Sequence, residues 1–376
     1  MARLPLQLWL RAETVILLAL GFASPSAWAQ LSNPLSNRVV NYKTVFDDPY
    51  DINQLWLNLS PLAAHMGSDN VSLGYGISAR LFVKQKLQLT AAFQGNYAAG
   101  TDFMRTNARQ NGGINYRSDA SPRRDQTVRQ LNLYTPFSSF ELGGQYAFSD
   151  VEKKSTSRIM LTSKKVRVME FTTVDEITVN SRNRHIWGGR VGVHSFSSAV
   201  SLNRPLERQG LTLTSAEGAR LLPNGSTELG GYTSTAYRNQ LYSNLRLNMV
   251  YVGGSFQLIR NVAVKADKFG NLANNIMLTT FADVLVAPDP LLDDIRIARP
   301  SGVGYDRYST QAVALRQVGF RAGVDVAYNQ DLHYSFGLES GVRPGLRGQG
   351  FYVAGRVSFP ALAFRLNRSR VANQVQ

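Results

Sequence analysis

The stretch VGFRAGVDVAY, residues 318–328, decides the fold. Side chains alternate faces along an extended strand. Val318, Phe320, Ala322, Val324, Val326 and Tyr328 therefore share one side, with Arg321, Gly323 and Asp325 on the other. A strand that crosses a bilayer at a tilt needs roughly 9–11 residues, apolar toward lipid and free to be polar inside. This segment meets both conditions.

The same pattern recurs outward from it. Leu332, Tyr334, Phe336 and Leu338 alternate with His333, Ser335, Gly337 and Glu339. After Pro344-Gly345, Phe351, Val353, Gly355, Val357 and Phe359 alternate with Tyr352, Ala354, Arg356 and Ser358. Near the other end, Val71–Val83 and Leu87–Tyr97 form a pair separated only by Lys84-Gln85-Lys86, which reads as a hairpin. Further candidates are Ile52–Leu62, Thr127–Thr135, Phe140–Phe148, Arg184–Ser198, Asn248–Val262 and Asn275–Val286, with one or two more between Leu211 and Leu247. The total predicts an all-β, antiparallel transmembrane β-barrel of about 12 strands, with 10–14 compatible with the pattern. Strand glycines such as Gly188, Gly192 and Gly253 read as places where a closing sheet bends.

Loop lengths carry a second signal, since barrels of this kind have short turns on the periplasmic side and long loops outside. Lys84–Lys86, Pro136–Ser138 and Asn329–Asp331 read as short turns; residues 100–126, 150–182 and 288–308 read as long loops. The alternation is not legible through Asn203–Leu245. A water-soluble β-sandwich is the main competitor, but its strands are usually nearer 5–6 residues. Aromatic residues at the strand ends, Tyr75, Tyr97, Tyr328, Tyr334, Phe351 and Phe359, also fit interfacial girdles.

Residues 1–29 have the layout of a cleavable signal: Arg3 and Arg11, an apolar run, then Ala27-Trp28-Ala29 before Gln30. The run from Val15 to Phe22 is too short for a membrane helix, and no later stretch approaches that length. The domain plan is a signal over 1–29, a periplasmic segment over 30–51, a barrel over 52–364 and a polar tail over 365–376. The chain has no cysteine, which removes disulfides, lipid attachment and thiolate metal sites. Its formal charge is +15, mostly arginine. At a cell surface arginine suits lipopolysaccharide phosphates, and export argues against nucleic acid.

With the signal ending at Ala29-Gln30, the Tyr- and Gly-rich strands and the closing segment Gly355-Arg356-Val357-Ser358-Phe359, the chain resembles Bacteroidota-type outer-membrane β-barrel proteins over most of residues 52–364. The resemblance is one of architecture. It implies residence in the outer membrane. Phe359 or Phe364 stands where such barrels often end, but a polar tail follows.

No catalytic constellation emerges. His194 and Ser195 point to opposite faces of a strand, which is wrong for a nucleophile and its base. The acidic groups Asp47, Asp48, Asp51 and Asp289, Asp293, Asp294 lack calcium-loop spacing and read as solvated loops. No enzyme activity, cofactor or metal is expected. The charged segment 150–182, with Val166, Val168, Phe171, Ile177 and Val179 among its charges, reads as a partly hairpin loop that shields the mouth and meets lipopolysaccharide.

The residues singled out lie inside. Laid side by side, the three C-terminal strands put Arg321, Asp325, Glu339, Arg343 and Arg356 on one inward face, a lumenal ladder of opposite charges. Arg80 and Arg190 point inward too. Two functions compete: a passive or weakly selective pore for small solutes, and a non-conducting barrel that anchors or assists an envelope secretion or surface-motility machine. An enzyme acting on lipid ranks third. The expected partners are outer-membrane lipid, lipopolysaccharide and other envelope proteins.

Overall fold

The computed structural model describes residues 41–365 apart from 52–53, 69, 84–85, 112, 118–124, 166–171, 217, 219, 223–226, 230–231, 234–239, 268, 300–303 and 329–333. The expected signal over 1–29, the tail beyond Arg365 and the turns at 84–85 and 329–331 lie outside the described residues. The chain divides into two compact units.

The strands that organise both are β1 (Tyr42–Asp47), β2 (Gln54–Gly67), β3 (Val71–Val83), β4 (Leu87–Asn96), β5 (Ser138–Lys165), β6 (Thr172–Ser201), β7 (Tyr242–Ala266), β8 (Gly270–Val286), β9 (Val318–Tyr328), β10 (Ser335–Val342) and β11 (Phe351–Arg365). In the larger unit, β2 to β11 follow one another as neighbours, β11 pairs with β2, and β6 returns to β7, so ten strands close a ring. A closed ring leaves no unpaired sheet edge, the condition for a sheet to stand in lipid. The fold is an antiparallel transmembrane β-barrel. With β1 and the short strand Leu291–Leu292, which also pair with β7, the sheet counts twelve strands.

Two expected barrel strands are not in the ring, and both have mixed faces that suit neither lipid nor lumen. Of Thr127–Thr135 only residues 127–129 are in a strand, the end of Asp125–Arg129, which pairs with Gly113–Arg117 in a sheet of its own. The region after Leu211 forms a small four-stranded sheet, from Leu213–Thr214 to Tyr232–Thr233. Pro136–Ser138 is not a turn but the entry to β5, after a long connection that carries helix α1 (Phe103–Asn111). Alternation of short and long connections therefore holds from β3 to β10, while β2 joins β3 by residues 68–70 alone. Short ones join β3 to β4, β5 to β6, β7 to β8 and β9 to β10; the connections after β4, β6 and β8 are long.

The expected loop over 150–182 is corrected in the same way. The strand pattern continues through it, with β5 running to Lys165 and β6 starting at Thr172. Its charges pair: Arg184 with Asp150 at 2.7 Å, Arg182 with Glu152 at 3.6 Å and Arg158 with Glu176 at 3.3 Å. It is two long strands and not a loop. The smaller unit takes the distal parts of β5 to β8 together with β1. It has its own core of Ile159, Val179, Val262 and Val264, packed by Ile177 and Leu272.

On the ring's outer face, Val191, Val193, Val250, Val252, Phe320 and Phe336 are exposed. The aromatic residues expected as girdles are exposed as well, and Tyr75 meets Tyr97 and Tyr328 meets Tyr334 at ring separations of 5.6 and 4.9 Å. One interruption lies in β2, where a bulge between Leu59 and Leu62 contains Pro61. Proline has no N–H for the ladder. The Tyr97 hydroxyl donates to the carbonyl of Pro61, which keeps that group satisfied on the lipid side.

Charge placed in the middle of the outer band should be costly and charge at its rim should not. Val252→Arg is expected to destabilise by about 2–4 kcal/mol and Asn248→Arg by about 0–1. Urea unfolding in lipid vesicles measures both; equal costs would contradict the band.

Candidate functional site: the filled lumen

The inward residues of β7 mark successive layers. Ile259 belongs to an apolar layer with Phe82, Ala147, Ile186 and Met277, against which Trp56 and Ala327 pack. Gln257 then donates to Gln88 at 2.5 Å and to Gln145 at 3.4 Å, a belt of amides that satisfy one another. Tyr251 reaches the charge layer. Met249, Leu247 and Leu245 enter a second apolar core, built with Phe196 and residues of the long connections, among them Leu202, Leu206, Ile295, Tyr308 and Leu346. Apolar layers thus close the lumen on both sides of a polar one.

Arg321 of β9 organises the charge layer. Its guanidinium donates to both oxygens of Glu141 on β5 at 2.8 Å, and its Nε donates to Asp283 on β8 at 3.0 Å. Glu339 of β10 stands at 3.6 Å and Tyr251 lies beneath at 4.5 Å. Arg190 of β6 approaches Glu141 and Asp283 at 3.7 and 3.5 Å and stacks over Phe281 at 4.0 Å. Desolvating such charges is expensive, and only this density of bidentate and ring contacts offsets it.

A second cluster joins Asp325 to Arg356 at 2.6 Å, with Arg80 at 3.8 Å. Asp325 and Arg356 are two strands apart, and both pair across Gly337 of β10. Glycine there leaves the path open, since a Cβ would stand 2.5 Å from Asp325 Oδ1 and 2.8 Å from Arg356 Nε. Gly143 and Gly192 likewise make room for the Tyr251 ring, and Gly253 for Asp283. These lumenal glycines are seats for long side chains, a role the bending argument missed.

Of the five residues singled out, Arg321 and Glu339 meet in the first cluster and Asp325 and Arg356 in the second. Arg343 turns elsewhere: it stacks on Phe196 at 3.7 Å and Tyr352 at 4.3 Å and donates to His65 Nε2 at 2.8 Å. The Tyr352 hydroxyl bonds to Glu339. Sequence reasoning missed Glu141 and Asp283, partners supplied by strands distant along the chain. Their signal was present, a lone acid between apolar neighbours in Phe140-Glu141-Leu142 and Ala282-Asp283-Val284.

Ser139, also missed, lies 2.8 Å from His194 Nε2. His194 Nδ1 is buried without a hydrogen-bond partner, so the pair lacks the third group that orients a catalytic histidine. Among the described residues no three His, Asp or Glu side chains gather as metal ligands. Asp293 and Asp294, read as solvated, are loop latches. Asp293 accepts from Arg246 at 2.7 Å and from Asn244 at 2.8 Å. Burial works to raise the Asp294 carboxyl, but the Thr310 N–H and Arg307 outweigh it and hold it below its ordinary range.

No family model matches the chain, and no curated protein matches it. Among solved structures it is similar to the toluene transporter TodX of P. putida, at 9% identity over 84% of this chain and 90% of that one, with a TM-score of 0.22. A TodX mutant described as a monoaromatic hydrocarbon channel gives 8% identity over 81% and 89%, with a TM-score of 0.17. A Pseudomonas aeruginosa FadL homologue gives 8% over 82% and 89%, with a TM-score of 0.15. Likenesses of this degree carry no argument, and the fold rests on the strand pairings above.

Gly337→Ala should cost about 1–3 kcal/mol by overpacking the Asp325–Arg356 bridge. Gly355→Ala on the neighbouring strand, where the nearest atom is 4.0 Å from an added Cβ, should be close to neutral. Urea unfolding in vesicles distinguishes them, and equal costs would show that no bridge crosses Gly337.

Proposed function

We propose that the chain is an outer-membrane barrel, exported by the signal over 1–29, whose lumen is closed at rest, and that it serves as a non-conducting anchor or accessory subunit of an envelope machine. The observation that carries this reading is the apolar packing on both sides of the charge layer, the Ile259 layer and the core around Phe196. With the short turns in the periplasm and the long connections at the surface, the short-turn side is where other envelope proteins would bind. The long connections would meet lipopolysaccharide, and arginines such as Arg204, Arg208 and Arg347 there suit its phosphates. Kinship with Bacteroidota-type barrels is part of the same proposal, and no catalytic role is assigned.

A second reading, a path for small solutes, is favoured by one observation. A polar cavity of about 70 Å³ lies within the lumen, lined by Arg80, Glu141, Arg190, Asp325, Glu339 and Arg356 among others. That is room for a few water molecules. In this reading passage needs the flanking layers to move.

The purified protein should be heat-modifiable on gels and silent in a planar bilayer at neutral pH, and should co-purify with envelope proteins. Steady single-channel openings would overturn the anchor reading in favour of the solute path. Recovery in the soluble periplasm without detergent would overturn both.

A further inference from the structure

We propose that the contact between His65 and Arg343 is an acid-sensitive latch that holds the long-connection end of the lumen shut. A guanidinium has no acceptor and always donates. The 2.8 Å approach of Arg343 Nη2 to His65 Nε2 therefore requires a neutral imidazole with Nε2 as acceptor. A proton on Nε2 abolishes the acceptor and sets two cations face to face in a buried site.

The two partners sit on different parts of the plug. His65 is on β2, opposite Ala354 of β11 and Ser72 of β3. Arg343 follows β10 at the start of the connection to β11, where its N–H donates to the Gly350 carbonyl and its own carbonyl accepts from Arg316 at 2.5 Å. Their separation would pull on that connection, whose Leu346 is part of the apolar core.

Among the described residues no anion is recorded in contact with the imidazole, and Asp102, the buried carboxylate beside Phe137, is held by the Phe137 N–H and by Asn70. Tyr352 from β11 stacks on it at 5.3 Å, Phe137 lies at 5.1 Å, and Phe196 from β6 lies at 6.2 Å. His194 of β6 is the other titratable group facing it. Behind these, Glu339 is engaged by Tyr352 and Arg321, and Glu141 by Arg321. His194 differs in kind from His65, because its partner Ser139 can turn from donor to acceptor and keep the bond when the ring is protonated. The device therefore depends on His65.

The latch is independent of whether the lumen conducts; only its effect on current rests on the solute-path reading. The test measures hydrogen exchange in residues 343–350, corrected for the intrinsic effect of pH, in detergent-solubilised full chain at pH 7 and at roughly pH 3, far below the ordinary histidine range because burial and Arg343 both oppose the added charge. The wild-type connection should exchange at least about tenfold faster in acid, a loss of 1.4 kcal/mol of protection. His65→Gln, whose side-chain oxygen can accept from Arg343 at every pH, should stay protected at both. His65→Lys should be loose at pH 7, with the gel shift on heating confirming that each variant has folded. Equal protection of wild type at the two pH values, or acid loosening of His65→Gln like that of wild type, overturns the latch. Loosening without current in a planar bilayer keeps the latch and removes the solute path.

Discussion

Everything in the larger unit turns on one buried guanidinium. Arg321 is almost wholly out of water, and its charge is tolerable only because Glu141 and Asp283 reach it from two other strands while Tyr251 closes one face. Removing either carboxylate would leave a buried charge incompletely answered, which costs more than the pair itself contributes. The three strands involved are therefore bound to one register, since a slip by one residue would turn Arg321, Glu141 or Asp283 toward lipid.

That constraint explains the glycines and the layers together. Long side chains from one strand must lie across their neighbours to meet at the centre of a narrow ring, and they can do so only where the wall has no Cβ. About ten strands enclose little more than side chains can fill. The charged layer is then sealed from water by apolar residues on one side and by the folded long connections on the other. Polarity inside the barrel is here a packing material, paired across strands, and not by itself a sign of an open channel.

The ring was legible in the sequence wherever a strand has one lipid face and one lumenal face. Val318–Tyr328, Val71–Val83 and Leu87–Asn96 are such strands, and their period-two pattern located them to within a residue or two. Thr127–Thr135 and the stretch after Leu211 were misleading because short strands folded over the ring alternate as well, with no bilayer to demand a continuous apolar face. The segment 150–182 was misread because charges suggested a loop, whereas cross-strand ion pairs let charged strands continue. The site was half legible. Inward direction followed from the period, so Arg321, Asp325, Glu339 and Arg356 were found, but partners came from strands far apart in sequence, which no local pattern reports. Arg343 lies at the end of its strand, where neighbours are set by the connection and not by the ladder.

The account stands on the coupling between Arg321 and Glu141 across the lumen. A double-mutant cycle of Glu141→Gln and Arg321→Met, read by urea unfolding in lipid vesicles, measures it directly. Coupling of about 1–3 kcal/mol is predicted, with the double variant less impaired than the two single costs together. Costs that simply add, to within about 0.5 kcal/mol, would mean that the two charges act separately and that the lumen is not the paired layer described here.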